Sequence, residues 1–213
     1  DVERGNVGAG TGAAIGRGTY KGGVGTASVT LENGVVVGAI AVVNALGLPY
    51  RGFDRLDDQQ ETAADPEPGS VRLSGGHDGG VPWPSLRGEG AGGEERASTQ
   101  RVSDLPPPLN TTLVVVATNA VLDKAECKRT ASAAHAGLAR ALNPSHTLAD
   151  GDTVFCLATG ALALDRSSET ARQVSLITLQ SAAADVVRLA ILDGIACAEA
   201  VSTPAGEFGA YGG

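Results

Sequence analysis

The chain has 213 residues, of which 42% are hydrophobic, with three cysteines and no methionine, enough apolar content for one domain or a small pair with a real core. Its net charge of −8, with no Lys/Arg cluster interleaved with aromatics, argues against a nucleic-acid surface. Without a run of about eighteen apolar residues or a charged-then-apolar leader, no membrane span is expected, and a cytoplasmic setting is. Cys127, Cys156 and Cys197 lack CxxC spacing, which predicts buried reduced thiols and neither a disulfide framework nor a zinc site. The chain opens on Asp1 and enters a glycine-rich motif by Asn6, so it reads as part of a longer protein.

Gly5-Asn6-Val7-Gly8-Ala9-Gly10-Thr11-Gly12 is dense in residues that permit positive φ and close backbone approach. Its spacing is not GxGxxG after a strand, and no acidic residue follows at the right distance. It therefore reads as a structural turn or a substrate-facing loop, and not as a dinucleotide site. A strand is predicted over Val24 to Leu31, a hairpin turn at Glu32-Asn33-Gly34, and a second strand over Val35 to Asn44. The second strand is nearly all apolar, which predicts burial on both faces. Asn44 closes it, where an amide serves either as donor to an oxyanion or as the end of the strand in an Asx turn.

From about Gly47 to Pro108 the composition shifts to Pro, Gly, Asp, Glu, Ser and Arg, which predicts a long loop or disordered linker. His77 and Trp83 inside it have no partner pattern and receive no role. The linker ends at Pro106-Pro107-Pro108-Leu109-Asn110-Thr111-Thr112, where a rigid, donor-poor proline run meets an Asn-Thr peptide at the mouth of a β-branched strand. That is the layout of a self-cleavage junction. A cut between Asn110 and Thr111 places a free α-amine beside the Thr111 hydroxyl, which is an activated nucleophile. The plain alternative is a turn leading into a strand.

Beyond the junction, Thr111 to Thr118 reads as a buried strand. Asp123-Lys124-Ala125-Glu126 is a capping-box variant opening a helix to about Leu142, stopped by Asn143-Pro144. Its many alanines suit close packing, and His135 within it reads as a packed or surface residue. His146-Thr147-Leu148-Ala149-Asp150-Gly151-Asp152-Thr153 precedes a strand over Val154 to Ala158. Two carboxylates one glycine apart either serve a site or form an Asp-Gly turn. A long helix from about Ser168 to Ala200 carries Val174, Ile177, Ala184, Val187, Ile191 and Ile195 at helical spacing, which predicts a core face.

Taken together, Gly5 to Ala13, Lys21 to Ser28, Val42-Val43-Asn44-Ala45, Asn110-Thr111-Thr112, His135 to Arg140 and Asp150 to Phe155 resemble the self-processing L-aminopeptidase/D-esterase family. That family includes β-peptidyl aminopeptidases and nylon-oligomer hydrolases. The resemblance implies an α/β fold, a layered α-β-β-α sandwich of the N-terminal-nucleophile kind, cleaved into α and β chains and usually tetrameric. Residues 1–50 would then be the C-terminal part of the α chain, 51–110 a linker ending at the cleavage site, and 111–213 the β chain. By resemblance, Thr111 is the nucleophile, Asn44 the oxyanion donor, Asp150 and Asp152 the acidic pair, and Lys21 a pocket residue. Aminopeptidase members commonly carry Ser at the nucleophile position, so Thr111 with Asp150-Gly151-Asp152 is closer to the nylon-oligomer branch. The family's upstream third is absent from this sequence. The implied activity is hydrolysis of peptide-like or oligoamide bonds, without cofactor or metal. Aminopeptidase action on small peptides, acyl transfer of the ornithine acetyltransferase kind, and a non-catalytic β-rich binding module are the alternatives. The implied partners are a small amide substrate, the protein's own two chains and copies of itself, with no nucleic acid and no membrane.

Overall fold

The computed structural model describes residues 2–50, 110–204 and 206–212. Most of the expected linker, with His77 and Trp83, lies outside the described residues. In chain order the elements before it are a 3-10 turn at Gly8–Gly12 and strands β1 (Ala14–Ile15), β2 (Tyr20–Lys21), β3 (Val24–Thr30), β4 (Val36–Val42) and β5 (Leu48–Pro49). After it come β6 (Leu113–Ala120), helices α1 (Lys124–Ala134) and α2 (Ala136–Ala141), β7 (Leu142–Asn143), β8 (Thr153–Leu162), α3 (Glu169–Ala196), β9 (Val201–Thr203) and β10 (Gly206–Phe208).

The hairpin forms where the sequence places it. Gly34 adopts a φ of 80°, the Val35 amide donates to Asn33 Oδ1 at 3.1 Å, and β3 and β4 pair from Thr30↔Val36 to Val24↔Val42. A four-stranded sheet results, in the order β3-β4-β6-β8. β4 runs antiparallel to β6, and β6 parallel to β8. The end of β4 and the starts of β6 and β8 therefore share one end of the sheet.

The three helices cover one face of this sheet: α3 crosses β3 and β4, α1 packs on β8, and α1 and α2 both pack on α3. Close approach depends on glycine, since a Cβ on Gly25 of β3 would strike the Ala190 carbonyl and the main chain of Gly194 in α3. Val37, Ala39, Ala41, Val114 and Val116 are buried beneath the helices, whereas Val36, Ile40, Leu113, Phe155 and Leu157 are exposed. The second strand is thus buried on one face only, which corrects the expectation of two. Its sequence is apolar on both sides, but no described helix or strand covers the outer side.

Two helix expectations also change. The single helix from Asp123 to Leu142 is broken at His135 into α1 and α2. Its start is as expected: Asp123 Oδ1 accepts from the Glu126 amide at 2.8 Å, and Glu126 Oε2 accepts from the Asp123 amide at 3.1 Å. The Glu126 side chain is buried between Arg166 at 2.8 Å and Arg172 at 3.4 Å. In α3 the core face runs from Leu179 to Ile195, while Val174 and Ile177 are 56% and 62% exposed, contrary to expectation. In the first turns of α3 it is Leu176 that packs against the core and Arg172 that meets Glu126, so Val174 and Ile177 lie on the outer side of the helix. The cysteines are free as expected, but half-buried.

Candidate active site

The Asn110–Thr111 peptide sits at the end of the sheet where β4, β6 and β8 meet. Asn110 forms a parallel bridge with Asp150, which extends the β6–β8 register that starts at Leu113↔Thr153. The Gly151 amide donates to the Asn110 carbonyl at 2.7 Å, and the Thr111 amide donates to the Asn44 carbonyl at 2.7 Å. Both polar atoms of this peptide are therefore held, one by the β8 side and one by the β4 side. Asn110 is 6% exposed. Thr111 Oγ1 lies against Gly151, where a Cβ would come within 2.7 Å of it.

The two aspartates do different things. Asp150 Oδ2 accepts from the Thr147 amide at 2.8 Å and from the Thr147 hydroxyl at 2.7 Å, and Oδ1 accepts from the Leu46 amide at 3.4 Å. It braces the 147–150 turn and the chain that follows Asn44. The side chain of Asp152 is 3% exposed and accepts from the Thr112 amide at 2.9 Å through Oδ1. Its other oxygen is 3.5 Å from His146 Nδ1.

Asn44 follows β4. Its Oδ1 accepts from the Ala14 amide at 3.0 Å, so its side-chain amide is oriented by β1 while its carbonyl holds Thr111. Lys21 is the register partner of Ala14 across β1–β2, one strand removed from Asn44. It is 4% exposed, donates from Nζ to the Thr11 carbonyl at 2.8 Å, and sits 5.7 Å from the centre of the Phe208 ring. Burial lowers its pKa below the usual lysine range. The structure thus brings Asn110, Thr111, Asn44, Asp150 and Asp152 together at one end of the sheet, with Lys21 on the neighbouring strand β2 across from Ala14.

Sequence reasoning gave no role to His146, although it lies in the same loop as the acidic pair. It takes a left-handed φ of 54°, uncommon for a residue other than glycine, and its ring stands 5.0 Å from that of His135 at the α1–α2 break. Burial, then the nearby His146, push the His135 pKa down, and the Asp152 charge works against them. Gly151 was also passed over, as the middle of an Asp-Gly turn. Among the described residues, no group of three or more His, Cys, Asp or Glu side chains is placed to hold a metal ion.

A hydroxyl, a peptide bond gripped at both polar atoms, an oriented side-chain amide and a buried carboxylate make up the parts that acyl transfer needs. The profile of peptidase family S58 matches residues 1–208. An uncharacterized aminopeptidase of Mycobacterium tuberculosis is 40% identical over 216 residues, covering 95% of this chain. Another from Mycobacterium leprae is 40% identical over 99% of the chain. The chain spans only 55% of the length of each. Among solved structures, the β-aminopeptidase of a Burkholderia species superposes with a TM-score of 0.62 at 23% identity, over 99% of this chain and 51% of that one. The L-aminopeptidase D-Ala-esterase/amidase of Ochrobactrum anthropi, a prototype serine aminopeptidase with a variant of the Ntn-hydrolase fold, gives 0.60 at 23% identity, over 98% and 50%.

Proposed function

The chain belongs to peptidase family S58, and from that premise we propose that it forms part of a self-processing amide hydrolase in which scission of Asn110–Thr111 frees Thr111 as the nucleophile. The observation that carries this reading is the grip on the Thr111 nitrogen. It donates to the Asn44 carbonyl at 2.7 Å, and the next amide along is held by the Asp152 carboxylate at 2.9 Å. Once cut, that nitrogen is an α-amine beside its own hydroxyl, with a carboxylate one residue away.

An α-amine has an unperturbed pKa of about 7.7 to 8.0, so near neutral pH a usable fraction is neutral and takes the hydroxyl proton during attack on an amide. Asp152 then stabilises the ammonium, and the Asn44 side chain, oriented by the Ala14 amide, donates to the tetrahedral oxyanion. Loss of one such donor typically costs about 10²-fold to 10³-fold in rate. In this scheme the substrate is a peptide-like or oligoamide compound. The pairing of Thr111 with Asp150-Gly151-Asp152 favours the nylon-oligomer branch, and the aminopeptidase names of the curated relatives favour cleavage at the N-terminal residue of small peptides. In this scheme Lys21, held on the Thr11 carbonyl, is the pocket residue. In a whole protein of the relatives' length, the open apolar face of the sheet is the seat of a second sheet, completing an α-β-β-α sandwich of α and β chains.

Intact mass of the full-length protein tests the reading. It should split into a fragment beginning at Thr111, Thr111→Ser should still split, and Thr111→Ala should stay whole and inert. An active, uncut Thr111→Ala protein would end the proposal.

A further inference from the structure

We propose that Gly151 is a catalytic residue of the self-cleavage step: its peptide N–H takes up the charge that develops on the Asn110 carbonyl oxygen, and its bare Cα is the space in which the Thr111 hydroxyl stands. The inference rests on the self-processing reading above and supplies its electrophilic half.

Three observations carry it. The Gly151 amide lies 2.7 Å from the Asn110 carbonyl oxygen, at the short end of N–H···O distances, and that carbonyl is the one under attack. A hydrogen bond to this oxygen strengthens as negative charge builds on it, which is the way an oxyanion donor lowers the barrier. A Cβ added to Gly151 would stand 2.7 Å from Thr111 Oγ1 and 3.7 Å from Thr111 Cβ and Cγ2, and these are its three nearest heavy atoms. The attacking oxygen and the oxygen that receives the charge thus abut the same residue. Finally, Gly151 is not among the glycines with positive φ. An Asp-Gly turn needs glycine for a left-handed backbone, and here that need is absent, so the requirement for glycine comes from Thr111. The two neighbours are anchored, Asp150 by Thr147 and Asp152 by Thr112, which holds the donor in a fixed direction.

The step balances as follows. Thr111 Oγ forms a bond to the Asn110 carbonyl carbon, and the carbonyl π pair moves onto the oxygen that faces the Gly151 N–H. The hydroxyl proton passes to the Thr111 nitrogen, through solvent water or directly. Collapse restores the C=O bond and breaks the C–N bond, leaving an ester on Thr111 and a free α-amine. Water then adds to the ester carbonyl and Oγ departs with a proton, which yields the Asn110 carboxylic acid and an N-terminal threonine.

The test follows processing of the full-length precursor by mass over time. Gly151→Ala keeps the N–H and an allowed backbone but displaces the hydroxyl, and a misplacement of ~1 Å costs on the order of 10²-fold. The expected result is processing slowed about 10²-fold with an unchanged circular dichroism spectrum and melting temperature. Replacement of Gly151 by glycolate in a semisynthetic chain keeps the shape and removes the donor alone, and should slow processing about 10²-fold to 10³-fold. Processing of folded Gly151→Ala at the wild-type rate overturns the assignment. Should Gly151→Ala fail to fold, the glycolate chain decides, and a wild-type rate there overturns it. A wild-type protein that never cuts at Asn110–Thr111 is a different outcome, which removes the self-processing reading and this inference with it.

Discussion

Glu126 and Asp152 are carboxylates with side chains only 6% and 3% exposed, and their charges are satisfied by opposite means. Glu126 closes the capping box of α1 and also meets the guanidinium groups of Arg166 and Arg172. The Arg166 hydrogen bond outweighs the cost of burial and holds its pKa at about 2, so its charge is fully matched within the fold. Asp152 has a main-chain amide and a histidine nitrogen 3.5 Å away, and among the described residues no lysine or arginine pairs with it. A carboxylate matched by fixed cations is a fastener. One matched mostly by an amide keeps its charge available for a cation that forms nearby, and under the proposed scission the Thr111 α-amine would be such a cation.

The sharpest way to break this contrast is Asp152→Asn. Asparagine still accepts from the Thr112 amide but carries no charge, so amide hydrolysis on a short oligoamide or aminoacyl amide should fall by about 10²-fold or more, the scale of a lost general acid–base contribution. The melting temperature should barely change. A normal rate would make Asp152 a fastener too. Next in size is Glu126→Gln, with the reverse profile. It strands two arginines that are themselves 39% exposed, so solvent limits the loss to about 2 kcal/mol of stability in urea unfolding, with the rate per folded molecule unchanged.

Acid titration sharpens the same point. The folded pKa of Glu126, about 2, lies below the 4.5 of the free side chain, so between these values the unfolded chain binds more protons than the folded one. Its stabilisation is complete above 4.5 and is lost as the pH falls through about 2. Unfolding monitored from pH 5 to pH 2 should show a decline that is shallower in Glu126→Gln. The smallest effect is expected for Asp150→Asn, which forfeits part of a charge-assisted contact to Thr147 at about 1 kcal/mol and should lower the hydrolysis rate less than tenfold. If its rate fell as far as that of Asp152→Asn, the division of labour between the two aspartates would be wrong.

Local chemistry was legible in the residues alone. The Asn33-Gly34 turn and the Asp123–Glu126 capping box depend on partners a few positions away, so their causes lie within a short window of sequence, and the strand after Thr111 shows in its own β-branched run. The Asn110-Thr111 junction and the Asp150-Gly151-Asp152 run could be singled out for the same reason, as unusual residue types side by side. Only the tertiary structure decided the rest. Asp150 and Asp152 are equivalent as letters, and they part company because Asp150 closes the 147–150 turn and reaches the Leu46 amide, whereas Asp152 meets the Thr112 amide that β6 brings beside it. The strand from Val35 to Asn44 is apolar throughout, and which side is buried depends on where α3 lies. Gly151 looked like a turn glycine, yet its reason is a hydroxyl forty positions earlier that only the folded chain brings to it. A sequence records which groups are available, whereas direction and distance between remote groups arise from packing.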